Sequence, residues 1–406
     1  MSLVGATISS SQVSSFSDLL RLLPGIPPPD TIASLNRLRA RFSVAPVLIQ
    51  DAARRAPSLI RRSQYERVLG VPHPLNYDWR FDPQTAKTLV RTCVELSGPA
   101  RSAIMIGTPT VAIAALADAK LKDVLLLDAN CNAIHQLVGL SPRIKPLCID
   151  VLRHRLPALS AAVVITDAPW YPDSMSAFLC AAAQVCKRTG HVIAAFPSVG
   201  TRPGIIEQRE ALIALAAKHG LEYLDLKTGV LKYETPPFER SAFRACGITN
   251  VPDDWRRGDL LLFRRTTPRA RSDRAIAKTA DEWVDIEIEH VQLKVRGPLH
   301  FEFNDPRMRS IIDGDVLPSV SRRDPRRRYA DIWTPRNRIF ACAGRSVFVQ
   351  IARAIASGEQ PNAAVARWLA RDLSKVERVT IEQATEHLCS VLRREVAELA
   401  HTEPME

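Results

Sequence analysis

None of the eight cysteines stands in a Cys-x-x-Cys pair, so zinc ribbons and thioredoxin-type redox chemistry find no support. Cys93, Cys131, Cys148, Cys180, Cys186, Cys246, Cys342 and Cys389 are scattered, mostly in apolar surroundings. That pattern predicts reduced, buried thiols in a cytoplasmic protein. The nine histidines include no His-x-His or His-x-x-x-His pair, so no metal site is expected, and no nucleophile–histidine–acid set is readable. There is no P-loop. No apolar run reaches the roughly 18 residues of a membrane span, so no membrane partner is expected. The start, MSLVGATISSSQVSSF, lacks the basic stretch and long apolar run of a secretory signal.

What is present describes a globular chain. Its 406 residues are 46% hydrophobic and 24% charged, too many for one ordinary core and enough for two or three. The formal charge of +12 favours anionic partners.

The chain divides into three stretches: a helical region and connector over 1–82, an α/β domain over 83–266, and an α+β module over 279–406. Residues 1–14, small and Ser-rich, are expected to be mobile. Phe16 to Leu69 has helical spacing, broken at Pro24-Gly25-Ile26-Pro27-Pro28-Pro29, and Arg54, Arg55, Arg61 and Arg62 make part of it basic. After the connector GVPHPLNYDWRFD, a helix is expected from Gln84 to Leu96, with Asp82 as cap and Pro83 at its first position. Strands then alternate with helices. Strands are expected at Ser102–Ile106, Val124–Leu127, Pro146–Ile149, Ala161–Thr166, His191–Phe196, Glu222–Leu226 and Leu260–Arg264, with irregular sequence between the last two. Short continuous apolar runs separated by helices predict a doubly wound, mostly parallel, Rossmann-like sheet covered on both faces. Composition turns polar and basic at Thr266–Lys278, a domain boundary. Beyond it Trp283–Val295 and Leu299–Phe303 read as strands, and Val347–Ala356, Ala363–Leu373 and Ile381–Leu399 as helices.

The most informative stretch is Val163-Val164-Ile165-Thr166-Asp167-Ala168-Pro169-Trp170-Tyr171. It places an acid at the carboxyl end of a buried strand, where open α/β sheets bind ligands. Asp167 can accept hydrogen bonds from an amino group about to be alkylated. Pro169 holds the backbone extended without an amide donor, and Trp170 and Tyr171 can shape a planar acceptor site and exclude water. Asp128 ends the strand VLLLD, where such folds place the acid that holds ribose hydroxyls, and Asp150 ends LCID. Gly107-Thr108-Pro109-Thr110 follows the first strand and opens a helix, as a cofactor loop does, with Thr110 suited to cap it.

These residues resemble the class I S-adenosylmethionine-dependent methyltransferases with a D-P-P-[YFW] motif, Ala168 replacing the first Pro. The resemblance implies that Gly107, Thr108, Thr110, Asp128 and Asp150 bind cofactor, Asp150 through the adenine amino group. It implies that Asp167, Pro169, Trp170 and Tyr171 carry transfer to an amine. The cofactor would be S-adenosylmethionine or its decarboxylated form. A second resemblance covers more of the chain. The order G-x-x-x-[VL]-x-x-x-A-L, a strand ending in Asp, then D-x-P is similar to the catalytic domain of the branched-chain polyamine synthases. That would imply aminopropyl transfer, yet the family's acidic G-D-D-D loop reads Gly107-Thr108-Pro109-Thr110 here. A third reading, a catalytically inactive scaffold for a protein or nucleic-acid partner, rests on the altered loop and on Ala168.

Other candidates are Tyr77, Asp78 and Trp79, able to close over the cofactor; Glu234 and Glu239, able to hold an amine; and Arg202, able to contact an anion. The segment Arg322 to Arg338 holds seven arginines and two aspartates. There Arg326, Arg327 and Arg328 would meet phosphates, or an acidic protein, and Tyr329 and Trp333 would stack on bases.

Overall fold

The computed structural model describes residues 2–23, 25–54, 63–118, 120–267, 282–297 and 300–400. The N-terminal region is helical: α1 (Leu3–Ser10), α2 (Phe16–Leu22), α3 (Pro28–Leu38), α4 (Val44–Ala53) and the short α5 (Glu66–Leu69). The expectation of a mobile start is overturned. Ser2 caps α1 by accepting from the Gly5 amide, and Val4 is buried. Pro28 and Pro29 open α3, because a missing amide costs nothing in the first turn. Phe16, Leu20, Leu35 and Leu48 form a core that includes Phe243 and Trp255, so these helices are fixed to the central domain. Of the basic stretch, Arg55, Arg61 and Arg62 lie outside the described residues, as does the proposed boundary from position 268 onward.

The central unit runs α6 (Pro83–Ser97), β1 (Ser102–Ile106), α7 (Pro109–Ala117), β2 (Asp123–Asp128), α8 (Cys131–Leu137), β3 (Ile144–Cys148), β4 (Ala161–Thr166), α9 (Pro172–Val185), β5 (Cys186–Pro197), α10 (Ile205–Lys218), β6 (Leu221–Lys232), α11 (Pro237–Ala245) and β7 (Arg257–Arg265). Asp82 caps α6 by accepting from the Thr85 amide at 2.6 Å, with Pro83 first in the helix. The seven strands order as β3-β2-β1-β4-β5-β7-β6, parallel except for β7, which runs against both neighbours. Helices α6, α7 and α8 bury one face around Leu89, Met105 and Leu126, and α9 and α10 the other around Val164, Leu179 and Phe263. The sequence between β6 and β7, expected to be irregular, contains α11, whose Phe238, Ala242 and Phe243 face inward.

The C-terminal unit holds β8 (Trp283–Ile288), β9 (Val291–Arg296), β10 (Met308–Ser310), β11 (Ile332–Trp333), β12 (Ile339–Cys342), α12 (Arg345–Ser357), α13 (Pro361–Leu369) and α14 (Lys375–Ala400). Its strands form an antiparallel sheet in the order β10-β12-β11-β9-β8, covered by α12 and α14. The strand expected at Leu299–Phe303 does not form over the described residues 300–303. Among the described residues no helix is long and apolar enough to cross a membrane.

The cysteine reading also needs correction. Cys131 and Cys148 are joined as a disulfide, and Cys246 is exposed. The sequence separation of 17 hid the pairing, because only the parallel register of β2 beside β3 brings the start of α8 to the end of β3.

Candidate functional site

The chain winds from β1 outward through β2 and β3, then returns to β4 on the other side of β1. That reversal opens a crevice at the carboxyl ends of β1 and β4. A cavity of about 890 Å³ lies there, walled by the loops after β1, β2, β3 and β4, by the connector around Tyr77, and by residues 318–327 of the C-terminal unit.

The loop after β1 is drawn tightly onto the end of β4. Gly107 has φ +66°, and a Cβ there would lie 2.8 Å from the Asp167 carbonyl oxygen and 3.0 Å from the Phe178 ring. Only glycine permits both. The Gly107 amide donates to the Leu127 carbonyl at 2.9 Å and the Asp167 amide to the Ile106 carbonyl at 3.1 Å, so three strand ends are stitched together. Thr110 does not cap α7. Thr108 holds the cap position without a side-chain cap bond, and its Oγ1 has no hydrogen-bond partner among the described residues. Gly107 and Pro109 line the cavity; Thr108 and Thr110 are buried behind them.

Asp128, the last residue of β2, accepts from the Asn130 amide at 2.8 Å. Burial pushes its pKa up to about 7 despite that bond, and the nearby Asp78 adds to the rise. Asp150 lies two residues beyond β3, where it accepts from the Leu152 amide at 2.8 Å and pairs with Arg153 at 3.3 Å. Both carboxylates line the cavity.

Asp167 follows β4 directly. The Tyr233 hydroxyl donates to its Oδ1 at 3.1 Å. Burial lifts the carboxyl to about 7, while Tyr233 and Arg256 pull the other way. Trp170 meets the Tyr233 ring edge-on at 5.5 Å. The Arg256 guanidinium lies between two indoles, 3.8 Å from the Trp79 ring centre and 4.0 Å from that of Trp170. Tyr171 meets Tyr77 edge-on at 5.9 Å and carries the Arg322 guanidinium over its ring at 3.9 Å. Arg322 in turn holds Asp173 through two bonds of 3.1 and 2.6 Å.

The structure separates the two glutamates. Glu239, in the first turn of α11, lines the cavity, and its Oε2 has no hydrogen-bond partner among the described residues. Burial pushes it up to about 7. Glu234 is turned instead toward the N-terminal region, where the Ser63 hydroxyl donates to it at 2.5 Å, and it does not line the cavity.

The basic segment is largely structural. Trp333 is fully buried and donates to Asn337 at 3.0 Å, so it offers no face to a base. Arg338 reaches Glu395 at 3.1 Å, and Arg336 pairs with Glu398 at 3.3 Å, both on α14. Arg326 is spent on Asp324 at 2.6 Å, and Arg328 lies over Tyr329. Arg327 stacks 4.4 Å over Trp333 and is the one member of the three that lines the cavity. Sequence reasoning passed over Arg256 altogether, because a Trp-Arg-Arg run in an irregular loop carries no periodic signal.

Taken together, the parallel sheet with a reversed β7 and the crevice beside β1 and β4 give the chain a class I methyltransferase-like fold. No protein-family model and no curated protein matches the sequence. Among solved structures, the branched-chain polyamine synthase from Thermus thermophilus, in complex with N4-aminopropylspermidine and 5'-methylthioadenosine, shares the fold at a TM-score of 0.51. The two align at 13% identity over 68% of this chain and 89% of that one. A mutein of that synthase aligns at a TM-score of 0.48 and 15% identity, over 65% of this chain and 86% of that chain. The N-methyltransferase NodS from Bradyrhizobium japonicum, in complex with S-adenosyl-L-homocysteine, aligns at a TM-score of 0.30 and 12% identity, over 45% of this chain and 87% of that chain.

Proposed function

We propose that the protein is an S-adenosylmethionine-dependent transferase that alkylates an amine. The observation that carries this reading is the convergence of Asp128, Asp150, Gly107 and Asp167 on one cavity at the sheet's switch point. The cavity is of the size that encloses nucleotide-like ligands. Its cofactor side suits an adenosyl group: Asp128 would accept from ribose hydroxyls, Asp150 lies one loop further along, and Gly107 lets the β1 loop lie close against the end of β4 at the cavity wall.

When bound, S-adenosylmethionine supplies an electrophilic carbon on a positively charged sulfur. The chain supplies the rest. Asp167 Oδ2 takes a hydrogen bond from the acceptor amine and fixes the direction of its lone pair, while Tyr233 anchors Oδ1. With a pKa raised to about 7, the same carboxylate can hold the proton that the amine sheds. Pro169 keeps the turn extended, and Trp170 and Tyr171 keep water from the reacting centre. Catalysis is then mainly positioning.

Calorimetric titration with S-adenosylmethionine, its decarboxylated form and S-adenosylhomocysteine tests the cofactor part, repeated on Asp128→Ala. Binding that the substitution weakens at least tenfold is expected, which corresponds to one lost charge-assisted hydrogen bond or more. Asp167→Asn should bind cofactor like the parent and lose transfer. No binding of any of the three compounds would end the transferase reading.

A further inference from the structure

The acceptor side of the cavity carries a group of arginines beside Asp167 and Glu239. Arg202 and Arg323 line it together with Arg256 and Arg327. Arg327 is committed to Trp333, and Arg256 to its two indoles beside Glu239 and Asp167. Arg202 and Arg323 have no such counterpart. Arg202 donates through one nitrogen to Gln208 at 2.7 Å, and its Nε is buried without a hydrogen-bond partner among the described residues. Arg323 is exposed, and neither arginine forms an ion pair among the described residues.

The charges acting on Arg202 tell the same story. Burial lowers its pKa first; the Arg323 and Arg256 guanidiniums lower it further, and the Tyr171 hydroxyl is the one opposing group. Arg202, Arg323 and Arg256 thus line one cavity with Tyr171, close enough for the other two guanidiniums to act on Arg202. Such convergence is unfavourable until an anion occupies the space between the guanidiniums, whose forked donors match carboxylate and phosphate oxygens.

We propose that this wall binds an oxyanion carried by the acceptor, held by Arg202 and Arg323 with Arg256 behind them, so the substrate is an amine bearing a phosphate or a carboxylate. This deepens the transferase reading and rests on it for the amine.

The test needs no cofactor. The full chain is titrated calorimetrically with inorganic phosphate, acetate and spermidine, as the parent and as Arg202→Gln, Arg323→Ala and Arg323→Lys. Arg353→Ala, an exposed position on α12, controls for net charge. The expected result is one phosphate or acetate per chain, weakened at least tenfold in Arg202→Gln and Arg323→Ala. Arg323→Lys should retain part of the binding and Arg353→Ala all of it. Preference for phosphate identifies a phosphorylated acceptor, and preference for acetate a carboxylate. Arg323 is exposed, so its variants fold even if Arg202→Gln does not. No anion binding, equal binding in all variants, or spermidine binding in place of the anions would overturn the proposal. The outcome is separable from the cofactor titration: lost cofactor binding with intact anion binding removes the transferase and leaves the oxyanion site.

Discussion

Replacing Gly107 by alanine should cost both stability and ligand binding, and the geometry allows the cost to be divided. The backbone contribution comes from φ +66°, a left-handed conformation. For an L-residue it costs about 1–2 kcal/mol, offset in part by the smaller freedom of alanine in the unfolded chain, about 0.4–1 kcal/mol. The steric contribution comes from the new Cβ, 2.8 Å from the Asp167 carbonyl oxygen and 3.0 Å from the Phe178 ring. The ring can turn, but the carbonyl belongs to the strand end that bonds Ile106, so relief requires backbone movement costing about 1–3 kcal/mol. The net loss is about 2–4 kcal/mol, or roughly 5–15 °C in melting temperature for a domain of this size. Gly139→Ala is the matched control: φ is +83° and nothing lies within 4 Å of the new carbon, so it meets only the backbone cost. Urea denaturation of both variants isolates the steric part as their difference. If Gly107→Ala and Gly139→Ala lose the same stability, the close approach of the β1 loop to Asp167 is not what requires glycine, and the argument for that loop fails.

Two further outcomes follow from Glu239 and from the disulfide. Glu239, raised from 4.5 to about 7 by burial, contributes most favourably to the fold below its unfolded value and less as pH climbs through 7. Glu239→Gln should therefore raise the melting temperature at pH 8, by up to about 3 kcal/mol in stability, and leave it nearly unchanged at pH 4; a gain of equal size at both would show that ionisation is not the cause. Breaking Cys131–Cys148 with reductant, or by Cys131→Ser, should lower stability by about 3 kcal/mol for a loop of this length. It should also weaken cofactor binding, since the bond ties the residues flanking Asp128 and Asp150. Rapid alkylation of both thiols in the untreated native protein would refute the pairing.

The order of strands and helices was legible because buried parallel strands are written as short apolar runs. Ala161–Thr166 and its following acid are the plainest example, and the parallel winding alone then fixes where Asp128 and Asp167 stand. The failures share a different cause. Arg336 and Arg338 read as part of an exposed basic face because their partners, Glu398 and Glu395, are about 60 residues away in sequence. Glu234 and Glu239 were indistinguishable by composition; Glu234 lies in the turn before α11 and bonds Ser63, while Glu239 stands in the first turn of α11 and lines the cavity. Arg256 gave no signal at all, since its role depends on two indoles contributed from separate segments. Local pattern predicts elements, but which side chains meet across elements is decided by the folded register.

The cavity draws its walls from two sheets. One wall hangs from parallel strand ends, the other from a segment, residues 318–327, carried by the antiparallel unit. Of the residues that would read the acceptor, Arg323 and Arg327 stand on the second segment, apart from the strands that carry Asp128 and Asp167. Changes in the second segment can alter what is accepted without touching Gly107, Asp128 or the strands beneath them. A set of chains differing mainly over 318–327 would then be a family with one electrophile and many nucleophiles, and segment exchange within it would be a direct route to new specificities.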